Sequence, residues 1–241
     1  MNKLVGFSPL YIINLPERTD RREYIKKIFK DYDITNYTII DAFDARDELD
    51  HLIDYKPVAR KSVRKVEIAT TMSHIKAIQY WLDNSDTQYA IFCEDDLSFD
   101  TVPYWQWTWQ EFIDSINFDF DIIQLSITQF SNVDFKIHKR KRTDYSAGIY
   151  ILKREHAKTI LKRMIQDDKY YIKGDRANSV VDHDVLFGYT NKCYSCALFA
   201  YDTNFISDIN PDGKYLHKQS RNKTIDFWKT TKISLADFIS I

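Results

Sequence analysis

The segment Tyr89-Ala-Ile-Phe-Cys-Glu-Asp-Asp96 joins a continuous apolar run to three consecutive carboxylates. A short, uninterrupted apolar run is typical of a strand that is covered on both faces, as in a parallel sheet flanked by helices. The carboxylates stand where that strand ends. Because open α/β sheets bind ligands at the carboxyl ends of their strands, the segment predicts both the sheet and the place of a polar site.

Strand and helix patterns alternate around this segment. Strands are predicted over residues 10–15, 37–40 and 120–127, and Thr19 is predicted to cap a helix after the first of them. A second helical stripe consists of Ile68, Met72, Ile75, Ile78 and Leu82. This order predicts an α/β fold with a mostly parallel sheet, because strand–helix–strand units cross over with right-handed connections.

The second half of the chain has a mixed pattern. Strands are predicted over residues 145–152 and 194–201, with a helix between them marked by apolar residues over 157–165. The last thirty residues are rich in charge and contain a turn at 210–213, so we expect a tail or lid from about residue 210. A length of 241 residues and the lack of a linker predict a single domain over 1–241.

Composition excludes several classes of protein. Lys and Arg total 34 against 35 Asp and Glu, so the chain lacks the excess positive charge of a nucleic-acid-binding protein. Only five glycines are present, and none are spaced for a dinucleotide fingerprint or a P-loop. A bound phosphate would therefore need a metal ion or basic side chains.

Cysteine content predicts a reducing compartment, and hydropathy predicts a protein without a membrane span. Three cysteines cannot all pair, and the isolated Cys193-x-x-Cys196 lacks the second half of a zinc site. No apolar stretch approaches the ~18 residues of a membrane span, and the N-terminus lacks a signal-peptide cleavage site. We expect a soluble, cytoplasmic protein. The basic run 136–142 is either a solvated loop or a surface for an anionic acceptor or membrane.

The acidic triplet Glu94-Asp95-Asp96 has two interpretations. Adjacent carboxylates repel one another unless a cation or hydrogen-bond donors neutralise them. Without a phosphate loop, the triplet is consistent with Mg²⁺ or Mn²⁺ bridging the protein to a diphosphate. Alternatively, the three residues cap the next element or lie in a solvated turn.

Several motifs occur in the order and spacing of one family. They are the segment 11–22 (Tyr-Ile-Ile-Asn-Leu-Pro-Glu-Arg-Thr-Asp-Arg-Arg), Glu67-Ile68, Ser73-His74 and 91–96 (Ile-Phe-Cys-Glu-Asp-Asp), followed by 146–152, 182–184 and 207–209. On these segments residues 8–210 resemble glycosyltransferase family 25, which includes lipopolysaccharide and collagen hydroxylysine galactosyltransferases. The chain reads Val-Glu-Ile-Ala-Thr over 66–70, where the family commonly has Gly-Glu-Ile-Gly-Cys. This departure leaves open a donor other than that of the galactosyltransferases.

The resemblance implies a GT-A fold, a nucleotide-sugar donor, usually a UDP-sugar, and Mn²⁺ or Mg²⁺. Asp96 is then the first expected metal ligand, and Glu94 is expected both to bind the metal and to lie nearer the ribose. GT-A enzymes often add a histidine from the C-terminal region to the metal sphere, which points to His217; a lone surface histidine is the alternative. The expected donor contacts are Asn14, Leu15, Arg18, Asp41, Ser73, His74, Glu94 and Asp95.

Sugar transfer also needs a group that takes the proton of the acceptor hydroxyl, and a charge that stabilises the departing diphosphate. We expect Asp184 to be the general base and Asp182 to support it; a helix N-cap at either residue is the alternative. Additional positive charge for the diphosphate is expected from one of Arg18, Lys76 and Lys214.

Together with this resemblance, the sequence predicts a metal-dependent glycosyltransferase of glycan biosynthesis that moves a hexose from a UDP-sugar to a hydroxyl of a glycan or protein. The resemblance alone implies inversion and includes hydroxylysine among the acceptors. Two alternatives stay open: a non-catalytic nucleotide-sugar-binding module, and a metal-dependent nucleotidyltransferase. Trp105, Trp107 and Trp109 are expected in the core rather than stacked on a sugar.

Overall fold

A computed structural model describes residues 2–55, 63–129, 133–172, 179–202, 204–205 and 214–240. The strands are β1 (Leu10–Asn14), β2 (Tyr37–Asp41), β3 (Ile53–Tyr55), β4 (Tyr89–Glu94), β5 (Leu97–Ser98), β6 (Ile122–Gln124), β7 (His138–Lys139), β8 (Ile149–Lys153), β9 (Ile165–Gln166), β10 (Lys169–Ile172), β11 (Cys193–Ser195) and β12 (Ala200–Tyr201). The α-helices are α1 (Thr19–Asp31), α2 (Lys65–Asn84), α3 (Trp109–Ser115), α4 (Arg154–Met164), α5 (Lys214–Thr230) and α6 (Leu235–Phe238).

A seven-stranded sheet carries the fold, in the order β2-β1-β4-β8-β6-β11-β7. Strands β2, β1, β4, β6 and β11 run in one direction, because β8 is antiparallel to both β4 and β6. Strand β7 is antiparallel to β11 at the edge. The predicted α/β class with a mostly parallel sheet is confirmed.

Helices cover both faces of this sheet. One face packs against α1, α3, α5 and α6, and its core contains Phe29, Phe112, Trp228 and Phe238. The other face packs against α2 and α4, with Trp81 among the buried residues there. Burial on both faces explains the continuous apolar runs of β1 and β4.

The tryptophan prediction is confirmed, since Trp105, Trp107 and Trp109 are all buried in the first of these cores. The C-terminal residues belong to the same core through Trp228 and Phe238, so the described part of the expected tail packs against the sheet. Residues 206–213, including the turn at 210–213 and the family segment 207–209, lie outside the described residues. The single-domain boundary stays a prediction.

Three local predictions were wrong. Thr19 is the first helical residue of α1 rather than its cap; the N-cap is Arg18, whose side chain makes no capping hydrogen bond. The strand predicted over 120–127 ends at Gln124, and that predicted over 194–201 is divided into β11 and β12. The Leu125 carbonyl accepts hydrogen bonds from two successive amides of the intervening loop, which breaks the regular ladder there.

Among the residues that the structure describes, no helix has the length and apolar character needed to cross a membrane.

Candidate active site

The carboxyl ends of three neighbouring parallel strands meet at one corner of the sheet. Asn14 ends β1, Asp41 ends β2 and Glu94 ends β4. In the register, Asn14 pairs with Asp41, and Glu94 pairs with the residue before Asn14. The sheet topology therefore assembles polar side chains that are far apart in the sequence, as the position of the triplet predicted.

Asp95 is the buried anchor of this corner. Its Oδ1 accepts from Arg21 at 2.6 Å and its Oδ2 from Asn14 Nδ2 at 2.7 Å, and all three residues are buried. Burial raises the pKa of Asp95, although Arg21 and Asn14 oppose the rise. Both carboxylate oxygens are thus engaged within the protein, and a direct contact of Asp95 with a donor stays a prediction.

Arg22 links the same corner to the second strand. Its side chain donates to Asn14 Oδ1 at 2.7 Å and to Asp41 Oδ1 at 2.6 Å. Asp41 is exposed at the rim, and its carbonyl accepts from Lys76 Nζ at 2.7 Å. Asn14, Asp41 and Lys76 are thereby brought together, and their contact with a nucleotide stays a prediction.

Two further predicted nucleotide contacts, Leu15 and Arg18, lie between β1 and α1. Arg18 forms an ion pair with Asp20 at 2.9 Å at the start of the helix, and Leu15 is half-buried just after β1. The Lys214 side chain is not described. Their contacts with a donor stay predictions.

Asp96 differs from Asp95 in lacking protein partners for one oxygen. Its Oδ2 lies 3.5 Å from Arg21, whereas its Oδ1 is buried without any hydrogen-bond partner in the described structure. Burial and the nearby charge of Glu94 raise the pKa of Asp96 well above its usual value. An added cation would offset both effects, because it stabilises the charged form of a buried carboxylate.

Glu94 has the opposite electrostatic tendency. Burial disfavours its charged form, but a hydrogen bond from His74 and the charge of Arg21 outweigh it and lower its pKa. His74 Nε2 lies 3.4 Å from Glu94 Oε1. Neighbouring carboxyl groups whose pKa values are pushed apart are characteristic of functional sites.

Ser73 and His74 lie on α2 and are buried. Ser73 Oγ accepts from the Phe43 amide at 2.8 Å and so holds the loop after β2. Ser73 contacts the loop after β2, and His74 contacts Glu94. A direct contact of either residue with the donor stays a prediction.

His217 lies on α5, close enough for the Glu94 charge to act on it. Burial lowers the pKa of His217, and Glu94 partly offsets this. Its ring lies 5.5 Å from that of Tyr201, centroid to centroid. Its nearness to Glu94 agrees with a role at a metal, although that role stays a prediction.

A hydroxyl cluster, which the sequence did not predict, adjoins the triplet. It consists of Ser126, Ser146 and Tyr201, whose hydroxyls contact one another. Ser146 has a φ of 115°, a strained conformation for a residue with a side chain. Gly148 has no side chain because a Cβ there would collide with the Tyr201 ring.

Tyr201 is influenced by charges from both the acidic triplet and Asp182. Burial raises its pKa well above the usual value, and the charges of Glu94, Asp96 and Asp182 add to this rise. The charge of Asp182 therefore acts on the same hydroxyl as the charges of the acidic triplet. No signal in the sequence identified Tyr201, since it lies 55 residues from Ser146.

Asp182 and Asp184 lie in an irregular helical turn over Val181–Val185, not in a strand. His183 breaks the turn with φ −108° and ψ −130°. Neither carboxylate caps a regular helix through its side chain. Both are half-buried, so each is accessible to an acceptor.

Arg140 fastens this turn to the sheet. Its guanidinium donates to the carbonyl of Asp182 at 2.8 Å and to that of Asp144 at 3.0 Å, and lies over the Phe187 ring. Lys139 and Lys141 of the same basic run also have protein partners, Tyr194 and Asp134. The run 136–142 is therefore partly structural, and attraction of an anionic surface stays a prediction.

The described residues contain no group of three His, Cys, Asp or Glu side chains arranged to hold a metal ion. The partnerless Asp96 Oδ1 nevertheless fits a cation. Mg²⁺ in proteins is commonly bound by one or two carboxylates together with substrate phosphates and water, so a complete protein cage is not required. Asp96 and Glu94 would hold such an ion, with His217 nearby.

Comparison with known proteins gives a family. The model of "Glycosyltransferase family 25 (LPS biosynthesis protein)" matches residues 7–182. Glycosyltransferase R655 of Acanthamoeba polyphaga mimivirus is 37% identical over 94 residues, which are 37% of this chain and 29% of that protein. The match thus spans less than a third of that relative.

Similar solved structures are only distant. A197 from STIV is 13% identical, with 79% of this chain and 82% of that chain covered and a TM-score of 0.39. A glycosyltransferase involved in the glycosylation of the major capsid of PBCV-1 is 9% identical, with 92% and 98% covered and a TM-score of 0.39. The assignment depends instead on the family model, which spans well over half of the residues and includes the acidic triplet. The chain belongs to glycosyltransferase family 25.

Proposed function

We propose that this protein transfers a hexose from a UDP-sugar to a hydroxyl of a glycan or protein, with hydroxylysine among the acceptors, and that it uses Mn²⁺ or Mg²⁺. The observation that supports this most is the buried, partnerless Asp96 Oδ1 at the carboxyl end of β4. A buried polar atom without a partner is costly, and its persistence beside Glu94 is understandable if a ligand completes it.

The donor side would be built from residues of β1, α1 and β4. Arg21 and Asn14 fix Asp95, and Arg22 fixes Asn14 relative to Asp41, so the corner is ordered before a nucleotide arrives. Preorganised charge is favourable because it needs no rearrangement during the reaction. A bound divalent cation would act as a Lewis acid that offsets the negative charge of the departing diphosphate.

The acceptor side would be the turn containing Asp182 and Asp184. In the transfer, the acceptor oxygen bonds to the anomeric carbon, the bond from that carbon to the phosphate oxygen breaks, and the hydroxyl proton passes to a carboxylate. We assign this base to Asp182, because its charge acts on Tyr201 together with those of Glu94 and Asp96. Asp184, the base predicted from sequence, is then the supporting carboxylate. Inversion follows from the family resemblance.

Product analysis tests the proposal. The purified chain is incubated with UDP-hexoses, candidate hydroxyl acceptors and Mn²⁺, and products are identified by mass spectrometry. We expect UDP release and an acceptor heavier by one hexose, both abolished by EDTA and restored by Mn²⁺. Nucleotide-sugar binding without release would indicate a non-catalytic module, and transfer of uridine monophosphate would indicate a nucleotidyltransferase.

A further inference from the structure

His74 is enclosed between Tyr150 and Glu94. Its Nδ1 lies 3.0 Å from the Tyr150 hydroxyl and its Nε2 lies 3.4 Å from Glu94 Oε1. Tyr150 and His74 are fully buried, and their rings lie 5.8 Å apart and 25° from parallel. The contacts form one chain from β8 through α2 to the acidic triplet.

The direction of these hydrogen bonds follows from the donors available. Within the described structure, the Tyr150 hydroxyl has no hydrogen-bond partner other than His74 Nδ1. If Nδ1 carried the proton, the Tyr150 hydroxyl would accept, and its own proton would be buried without a partner. The hydroxyl therefore donates to Nδ1. If the ring carries one proton, that proton is then on Nε2, which donates it to Glu94.

We propose that Tyr150 and His74 are positioning residues. Tyr150 fixes the tautomer of His74, and His74 holds Oε1 of Glu94 so that the other carboxylate oxygen of Glu94 is presented to the donor side. This inference rests on the function proposed above. A histidine that orients a carboxylate is effective because its own second nitrogen is fixed by a further partner. His74 is the one hydrogen-bond partner described for the Glu94 side chain, so this contact orients the carboxylate from within the protein.

Tyr11 provides a matched control for Tyr150. The rings of Tyr11, Phe92 and Tyr150 form one stack, with Phe92 5.4 Å from Tyr11 and 5.3 Å from Tyr150. Tyr11 is buried at the end of this stack that lies away from His74. Tyr11→Phe and Tyr150→Phe therefore remove the same atom from the same core, but only the second removes the hydrogen bond to His74.

Nitrogen NMR of histidine-labelled, metal-free protein measures the tautomer directly. We expect His74 to carry its proton on Nε2 in the wild type and in Tyr11→Phe, and to show a mixture of tautomers in Tyr150→Phe. A wild-type His74 protonated on Nδ1 would overturn the inference, whether or not the protein transfers sugar. This measurement thus separates failure of the inference from failure of the proposed function.

Donor kinetics test the consequence for Glu94. Second-sphere partners commonly change activity about 10-fold or more, so Tyr150→Phe should reduce kcat/KM for the donor about 10-fold and leave the acceptor KM unchanged. Tyr11→Phe should change neither. His74→Gln, which keeps a side-chain N–H donor, should retain more activity than His74→Leu at equal thermal stability. Equal donor kinetics for both phenylalanine variants would refute the positioning role.

Discussion

The two halves of the site are built differently. On the donor side, Asn14, Arg21 and Asp95 are buried and joined by hydrogen bonds of 2.6–2.7 Å at the ends of regular strands. On the acceptor side, Asp182 and Asp184 lie in a turn that His183 makes irregular, held by Arg140 through a backbone carbonyl. The donor corner is thus fixed by side-chain charge pairs, whereas the acceptor turn is held by a bond to its backbone and by the buried Val181 and Val185.

Asp96→Asn should have the largest effect on transfer. We expect a loss of at least about 10³-fold in kcat/KM, on the scale of the loss of a major electrostatic group in a catalytic site. The melting temperature should be unchanged or higher, because the substitution removes a carboxylate whose ionisation burial disfavours. Asp86→Asn, at an exposed position, is the control. Retention of full activity in Asp96→Asn would exclude Asp96 from the chemistry.

Asp182→Asn and Asp184→Asn distinguish the two candidate bases. Loss of a general base typically costs about 10²–10⁴-fold, so we expect kcat to fall by that factor in Asp182→Asn while UDP binding is unchanged. Asp184→Asn should lose less than about 10-fold. Steady-state kinetics together with UDP calorimetry make the measurement. The reverse order of effects would return the base to Asp184.

Arg21→Ala should destabilise the donor corner strongly. It leaves Asp95 buried without its charge partner, and breaking a buried ion pair costs about 3–5 kcal/mol. Urea unfolding should show this loss. Arg21→Ala/Asp95→Leu should recover part of it, because the unpaired charge is gone. If the double variant were no more stable than the single one, the pair would not be the source of the stability.

Arg140→Lys should affect the acceptor side selectively. A lysine cannot bridge the Asp182 and Asp144 carbonyls as the planar guanidinium does. We expect the acceptor KM to rise about 10-fold, the equivalent of one lost hydrogen bond to a charged group, with the donor KM unchanged. An equal rise in both KM values would show that the two halves are not independent.

The smallest expected effect is on the free energy of unfolding, and it comes from His138, which contacts Asp144. Burial opposes protonation of His138, but hydrogen bonds to Asp144 and the Lys136 carbonyl outweigh it and raise its pKa. The contribution of His138 to the free energy of unfolding is therefore complete below about pH 6.5, and it is lost as pH rises through the raised folded-state pKa. Asp144 has a lowered pKa, so its contribution disappears only in acid.

We expect the unfolding free energy to fall by about 1 kcal/mol above neutral pH, the scale of one hydrogen bond. His138→Gln should abolish this fall. Urea unfolding between pH 5 and 9 measures it, and parallel pH curves for the wild type and His138→Gln would contradict the assignment.

Local patterns were sufficient to predict the fold's main elements. Strands β1, β2 and β4 and helix α2 lie within a residue or a few of their predicted limits, because apolar runs and helical stripes reflect burial directly. The short strands β11 and β12 were merged in the prediction, since their separation depends on backbone contacts with Leu125, far away in the sequence.

Site prediction had the same limit. The triplet was predicted at this edge because strand ends converge there, whereas Asn14 and Asp41 were expected from the family resemblance. The partner of Asp95 is Arg21, 74 residues away, and the sequence does not show which of several arginines is buried there. The Ser146–Tyr201 contact and the role of Arg140 likewise depend on the completed fold.

The central claim is that Asp96 accepts a cation that binds together with a pyrophosphate. Calorimetric titration of UDP, with and without Mn²⁺, into the wild type and Asp96→Asn tests it most directly. We predict that Mn²⁺ increases UDP affinity at least 10-fold in the wild type, on the scale of a typical coupling between two ligands, and has no effect in Asp96→Asn. Equal UDP affinities with and without Mn²⁺ in the wild type would contradict the claim.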